Sequence, residues 1–443
     1  MLFKSLNGIS KKVNFETAVK KGLADDGGLY FPEHIRPLKK DFIENLENYS
    51  NIDIALTVLE QFIGDSINKI DLRKILSNTI DFDFPLVDLG KNIYSLELFH
   101  GPTLAFKDVG ARFMANCLAY FNKNSSKLNT VLVATSGDTG AAVANGFYKV
   151  KGTNVIILYP KNKVSEIQER QLTTNGNNIT ALRVKGSFDD CQKIVKNAFL
   201  DKELNEKFNL TSANSINIAR WLPQSLYYFY AVKNLKKDNL VFSIPSGNFG
   251  NICAGLIAMK LGLPIKHFIA STNLNDTIPR YFESQVLSPK PTIQTISNAM
   301  DVSIPSNFIR IQEMFENFQD LSSVMSSYSF NDKQTLEAVR KIYNNNKYIL
   351  DPHGAVGYLG LKKHLESCSA QKTGVFLETA HPIKFANDIE KSIKVKIKFP
   401  ERINGILSKK KKYYNIVSYN NFKTKIMSMD FYWMKKFWEV LYL

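Results

Sequence analysis

From Leu86 to about Lys396 the chain repeats one unit. A short run of branched apolar residues is followed by a turn rich in glycine or polar residues, then by apolar residues at helical spacing. Val131–Ala134, Val155–Tyr159, Ile179–Val184, Leu240–Ile244, His267–Ser271 and Gly374–Thr379 read as strands. Helices are expected over 107–121, 141–150, from Ser165, and over 187–200, 218–235 and 252–261. Ser187-Phe-Asp-Asp190 has the form of a capping box ahead of its helix. Short apolar strands alternating with helices leave few solutions, chiefly a mainly parallel sheet covered on both faces. The fold class expected is therefore α/β, and 443 residues are enough for more than one domain. Residues 1–85 are expected to form a helical N-terminal domain, with Ile54, Val58, Phe62, Ile70, Leu72 and Ile75 at helical spacing. The α/β region then runs over 86–400, and 401–443 form a basic, aromatic C-terminal tail.

The net charge of +16 raises nucleic acid as a partner, with the four lysines Lys409–Lys412 beside Tyr413 and Tyr414 as its best local support. Lysine is spread along the whole chain, however, so general composition explains the charge better than a polyanion-binding face. No nucleic-acid partner is expected, and the tail reads as a solvated linker with a short terminal helix on the body. No apolar run reaches the ~20 residues that span a bilayer, and the first residues lack a secretory core. We therefore expect no membrane association and a cytoplasmic location. The four cysteines have no metal-ligand spacing and lie in stretches read as helical, so buried reduced thiols and no metal are expected.

Three stretches carry chemistry. Lys107 begins a helical run, where a partly desolvated amine has a lowered pKa and, when neutral, attacks a carbonyl to form a Schiff base. Ser246-Gly-Asn-Phe-Gly-Asn251 follows a strand and opens a helix, which presents backbone N–H groups as a phosphate cradle. Thr135-Ser-Gly-Asp-Thr-Gly140 is a second anion-binding turn, although Asp138 argues against its holding a phosphate alone. Each has a plainer reading: a surface lysine, and glycine turns common to α/β proteins. Together they suggest pyridoxal phosphate.

His100–Gly110, Ala134–Ala142, Ser212–Arg220, Pro245–Asn251, Asn298–Val302 and Thr379–Phe385 resemble, in order, the matching stretches of the threonine synthase family. That family belongs to the fold-type II, tryptophan synthase β-like pyridoxal-phosphate enzymes. The resemblance runs to about residue 400 and leaves the tail poorly matched. It implies two open parallel-sheet α/β domains plus the helical N-terminal domain, with pyridoxal 5'-phosphate as cofactor. It implies that O-phospho-L-homoserine and water give L-threonine and phosphate, by γ-elimination and β-hydration, in the last step of threonine biosynthesis. By the same resemblance Lys107 carries the cofactor and moves protons, while Gly247, Asn248, Phe249, Gly250 and Asn251 hold its phosphate. Thr379 meets the pyridine nitrogen, where a hydroxyl leaves the ring neutral. Ser136, Gly137, Asp138 and Thr139 take the substrate carboxylate and border the cofactor's phenolic oxygen. Asn214, Ser215 and Arg220 take the substrate phosphate, Arg220 because a guanidinium matches phosphate oxygens two at a time. The plainer alternatives are a surface Arg220 and helix caps at Asn214 and Ser215. His100 and His381, beside proline turns, are expected to be structural. The assembly expected is a monomer or homodimer. The second enzymatic reading is a serine or threonine dehydratase, or a phospho-lyase without hydration.

Overall fold

In the computed structural model, which describes residues 1–123, 128–368 and 372–429, the strands build two parallel sheets. The larger has the order Met325–Ser329, Ile265–Thr272, Leu240–Pro245, Thr373–Glu378, Ile93–Glu97 and Leu86–Asp88, with only the last pairing antiparallel. The smaller has the order Tyr414–Ile416, Ile179–Val184, Thr153–Pro160, Asn129–Ala134 and Asn209–Ser212, all parallel. The central strands are buried along their length, which is why they read as continuous apolar runs. The α/β expectation holds in full.

The N-terminal residues add the helices Phe15–Lys21, Asn51–Ile63 and Lys69–Thr79, and an antiparallel pair, Phe3–Ser5 with Tyr30–Pro32. Their apolar faces share one continuous core with Phe113, Trp221 and Tyr230. Ser50 and Asn68 cap the longer two helices through the N–H groups of Asp53 and Asp71.

Several boundaries moved. The helix expected over 218–235 is interrupted: Ile218–Trp221 leads into a 3-10 turn, Leu222–Ser225, before Leu226–Leu235. Pro223 has no N–H to continue the ladder. The helix after the first turn begins at Asp138 and ends at Gly146, and the later one runs Gly250–Lys260. Cys117, Cys191 and Cys253 are buried and reduced, whereas Cys368 lies just beyond the Pro352–Glu366 helix and is half-exposed. The Ser187 capping box forms as expected.

The tail is more integrated than a solvated linker. Tyr414–Ile416 extends the smaller sheet, Phe422 and Ile426 of the Tyr419–Met427 helix enter its outer core, and Lys411 pairs with Glu166 and Glu169 at 2.6 and 2.5 Å. Trp433 and Trp438 lie outside the described residues. No helix among the described residues is long and apolar enough to cross a membrane, and none of their His, Cys, Asp and Glu side chains group as metal ligands.

Gly255 shows how tightly the larger sheet is covered. A Cβ there would meet the rings of Phe268 and Tyr228 at 2.6 and 2.7 Å. Alanine gains about 1 kcal/mol of helix propensity over glycine, but overpacking against two rings costs about 1–3 kcal/mol. Gly255→Ala is therefore expected to lower the thermal midpoint by a few degrees, read by calorimetry. An unchanged midpoint would mean that the rings move aside freely.

Candidate active site

The carboxyl ends of both sheets face one cleft, where ligands of open α/β sheets bind. Lys107, the first residue of the Lys107–Phe121 helix, enters it from behind Phe106. The backbone here is fixed on three sides. Phe106 N–H donates to the Thr379 carbonyl at 2.9 Å, Ala105 bridges Ala380, and the Tyr227 hydroxyl donates to the Phe106 carbonyl. Next to it, Asp108 is buried and accepts the Thr103 N–H at 2.9 Å. Burial brings the Lys107 ammonium down to a pKa of about 8; Asp138 opposes this, and Lys384 and Arg220 reinforce it.

The Ser246–Asn251 turn forms one wall. Its Ser246 N–H donates to the Ser271 carbonyl at 2.8 Å, and Phe249, at φ 60°, turns the chain into the Gly250–Lys260 helix. Asn307 braces the turn, donating twice to the Asn248 carbonyl at 3.1 and 3.0 Å. Gly247 is required by close approach: a Cβ would stand 2.8 Å from both the Ala299 oxygen and Met300 Cα. Asn251 accepts from the Tyr228 hydroxyl, while its amide Nδ2 is buried without a partner among the described residues. A helix N-terminus with an unspent buried donor is chemically suited to a phosphate.

Opposite, Thr135 Oγ1 accepts the N–H groups of Gly137 and Gly140 at 2.9 and 2.8 Å, which shapes the second turn. Ser136 and Thr139 line the cleft; Gly137 and Asp138 do not. Gly137, at φ 136°, packs its Cα against Gln168. The Asp138 carboxylate accepts from Lys384 Nζ at 2.8 Å and Gln168 Nε2 at 3.0 Å.

Asn214, Ser215, Arg220 and Thr379 also line the cleft. Arg220 is buried, which removes the surface alternative; it donates to the Ala213 carbonyl, and its Nε is without a partner among the described residues. The helix cap is Asn217, which accepts from Ala219 N, so Asn214 and Ser215 are not caps. Asn214 donates to the Ala134 carbonyl at 2.9 Å, and Ser215 accepts from Asn307 at 3.1 Å. His100 is held by Glu97, and His381 accepts from Ile383 N; neither lines the cleft.

Sequence reasoning missed Phe188, Gln224, Met300 and His353 in the wall. His353 Nε2 accepts the Ala299 N–H at 3.2 Å, so Nδ1 carries the proton donated to Asp351 at 2.6 Å. That pair fixes the Asn298–Met300 turn against Gly247. Only the Asp351-Pro352-His353 sequence itself, a proline-started helix, signalled a special site.

A half-buried lysine of lowered pKa facing an anion-ready helix start, between two parallel sheets, defines a pyridoxal-phosphate enzyme of fold-type II. The family model for pyridoxal-phosphate dependent enzymes matches residues 83–379. Those for the threonine synthase N terminus and C-terminal region match 2–80 and 354–425. The chain is 47% identical to threonine synthase of Haemophilus influenzae, over 89% of this chain and 92% of that protein. It is 41% identical to the Escherichia coli protein, over 90% and 92%. The crystal structure of threonine synthase from Escherichia coli superposes with a TM-score of 0.91 and 39% identity, covering 96% of this chain and 99% of that one. The pyridoxal-phosphate-bound threonine synthase of Brucella melitensis gives 0.86 and 34%, covering 94% and 96%. The chain belongs to the threonine synthase family; it is a lyase whose cofactor is pyridoxal 5'-phosphate. The C-terminal match carries the family likeness from about residue 400, beyond which the tail read as poorly matched, on to residue 425.

Proposed function

We propose that this cleft converts O-phospho-L-homoserine and water to L-threonine and phosphate. The observation that carries the reading is the Lys107 amine, half-buried at the junction of both sheets and lining one cleft with the Ser246–Asn251 turn. When bound, pyridoxal phosphate supplies a conjugated ring that spreads the negative charge left by proton removal. Gly247, Asn248, Phe249, Gly250 and Asn251 would hold its phosphate, the free Asn251 amide included, and the Thr379 hydroxyl would meet its ring nitrogen. Lys107 takes a proton from the substrate's α-carbon and returns protons later, which its pKa of about 8 allows near neutral pH. Ser136 and Thr139 orient the substrate carboxylate, and Asn214, Ser215 and Arg220 bind its phosphate.

We further propose the division 1–85, 86–400 and 401–443, a monomer or homodimer, a cytoplasmic location, and no nucleic-acid or membrane partner. The dispersed lysines and the engagement of Lys411 by two carboxylates support the last point.

Equal yields of threonine and phosphate from O-phospho-L-homoserine are expected. Keto acid from free serine or threonine, with none of the phosphorylated substrate consumed, would establish the dehydratase reading instead. Cofactor capture by cofactor-stripped protein should also depend on pH. Its rate rises through about pH 8, as Lys107 loses its proton, and is flat above. A rate constant that does not change across that interval would exclude Lys107 as the capturing amine.

A further inference from the structure

Asp138 and Lys384 form a buried ion pair that joins the two α/β halves. The carboxylate begins the helix after the Asn129–Ala134 strand of the smaller sheet; the ammonium comes from the 3-10 turn Pro382–Phe385 after the Thr373–Glu378 strand of the larger. Nζ and Oδ1 are 2.8 Å apart, with the side chains 0% and 4% exposed, and Gln168 Nε2 donates to the same oxygen. The pair adjoins the cleft without lining it, one residue from Thr139 and five from Thr379. A carboxylate there is costly unless matched, because it faces the place where an anionic substrate group is drawn to Ser136 and Thr139.

We propose that Lys384 is a positioning residue of the active site, which by pairing with Asp138 keeps that carboxylate from pairing with the Lys107 amine and holds the second anion turn in place. The inference rests on the reading of Lys107 as the cofactor-capturing amine. The charged groups around the pair act together. Asp138 stabilises the Lys107 ammonium, and Lys384 and Arg220 oppose it; Lys384 also faces Asp108 and His381. Burial disfavours the Asp138 charge, but Lys384 and Lys107 hold its carboxyl well below the usual range. With Lys384 gone, Asp138 has Lys107 as its remaining cationic neighbour, and the amine stays protonated to higher pH. With Asp138 gone, Lys384 is an unmatched cation near Lys107, and the amine loses its proton earlier.

The test follows capture of pyridoxal phosphate by the cofactor-stripped full chain, through the absorbance of the lysine-bound form, as a function of pH. Lys384→Met should raise the pH midpoint by about one unit or more, Asp138→Asn should lower it, and Asp138→Asn/Lys384→Met should return close to the parent. Opposite shifts that cancel are the signature of paired charges; loss of packing moves both single variants the same way. If Lys384→Met does not fold, the downward shift of Asp138→Asn and the recovery in the double variant carry the test. Single variants shifting in one direction, or a double variant displaced further than Asp138→Asn, would overturn the inference. The parent and Lys107→Ala are run alongside. Capture by the parent and none by Lys107→Ala upholds the underlying reading independently of either shift.

Discussion

Lys107→Ala is expected to lower turnover of O-phospho-L-homoserine by about 10³-fold or more, since it removes both the covalent anchor and the general base. The variant should still fold. Lys107 is a half-buried amine whose partial desolvation pulls its pKa down to about 8, so its loss removes an unfavourable desolvation along with the amine. The expected result is therefore a thermal midpoint near the parent's, no absorbance of lysine-bound cofactor, and near-zero threonine formation. Lys107→Arg should fare no better, because a guanidinium does not lose its proton in the working range. Threonine formation by Lys107→Ala at close to the parent rate would dispose of the assignment.

Arg220→Met should have the second largest effect, and in opposite directions on catalysis and stability. The guanidinium is buried, spends one donor on the Ala213 carbonyl and leaves Nε without a partner among the described residues. Burial lowers its pKa to about 10, with Tyr227 and Asp108 opposing, so it remains charged at neutral pH. Such a cation is an anion receptor built at a cost to the folded state. Losing it should reduce kcat/KM for O-phospho-L-homoserine by about 3 kcal/mol, roughly 10²-fold, whereas the thermal midpoint should hold or rise. A residue with only a structural role would show the reverse: a fallen midpoint and kcat/KM retained in the fraction that folds.

The parts of this site that were legible in the sequence are those whose chemistry is local. Lys107, Ser136, Thr139 and Gly247–Asn251 sit where a strand meets a helix, and the turn itself exposes donors. Lys384 was not legible, because its partner lies 246 residues away and a single lysine after a proline turn has no periodic signal. Gln224 is in the same position: three-dimensional packing, not spacing, brings it to the wall. Asp138 was read as a loop residue facing ligand. The structure makes it a helix start, because the Thr135 side chain reaches forward to Gly140 N and lets the helix begin earlier than its apolar pattern suggests. The Pro223 break was in plain view, yet the apolar spacing on either side outweighed it. Small strands such as Tyr414–Ile416 and Met325–Ser329 escaped because three to five residues beside charged or polar neighbours carry too little alternation.

The late strand has a consequence for how the chain is made. Tyr414–Ile416 covers the Ile179–Val184 strand, and Arg183 and Asn415, which meet across that edge, are 232 residues apart. At ribosomal speeds of ~5–20 residues per second, the nascent smaller sheet waits roughly 10–50 s with an open flank. Unpaired flanks recruit other chains, so yield in rapid overexpression should be governed by that interval, and slower synthesis at low temperature is the matching remedy.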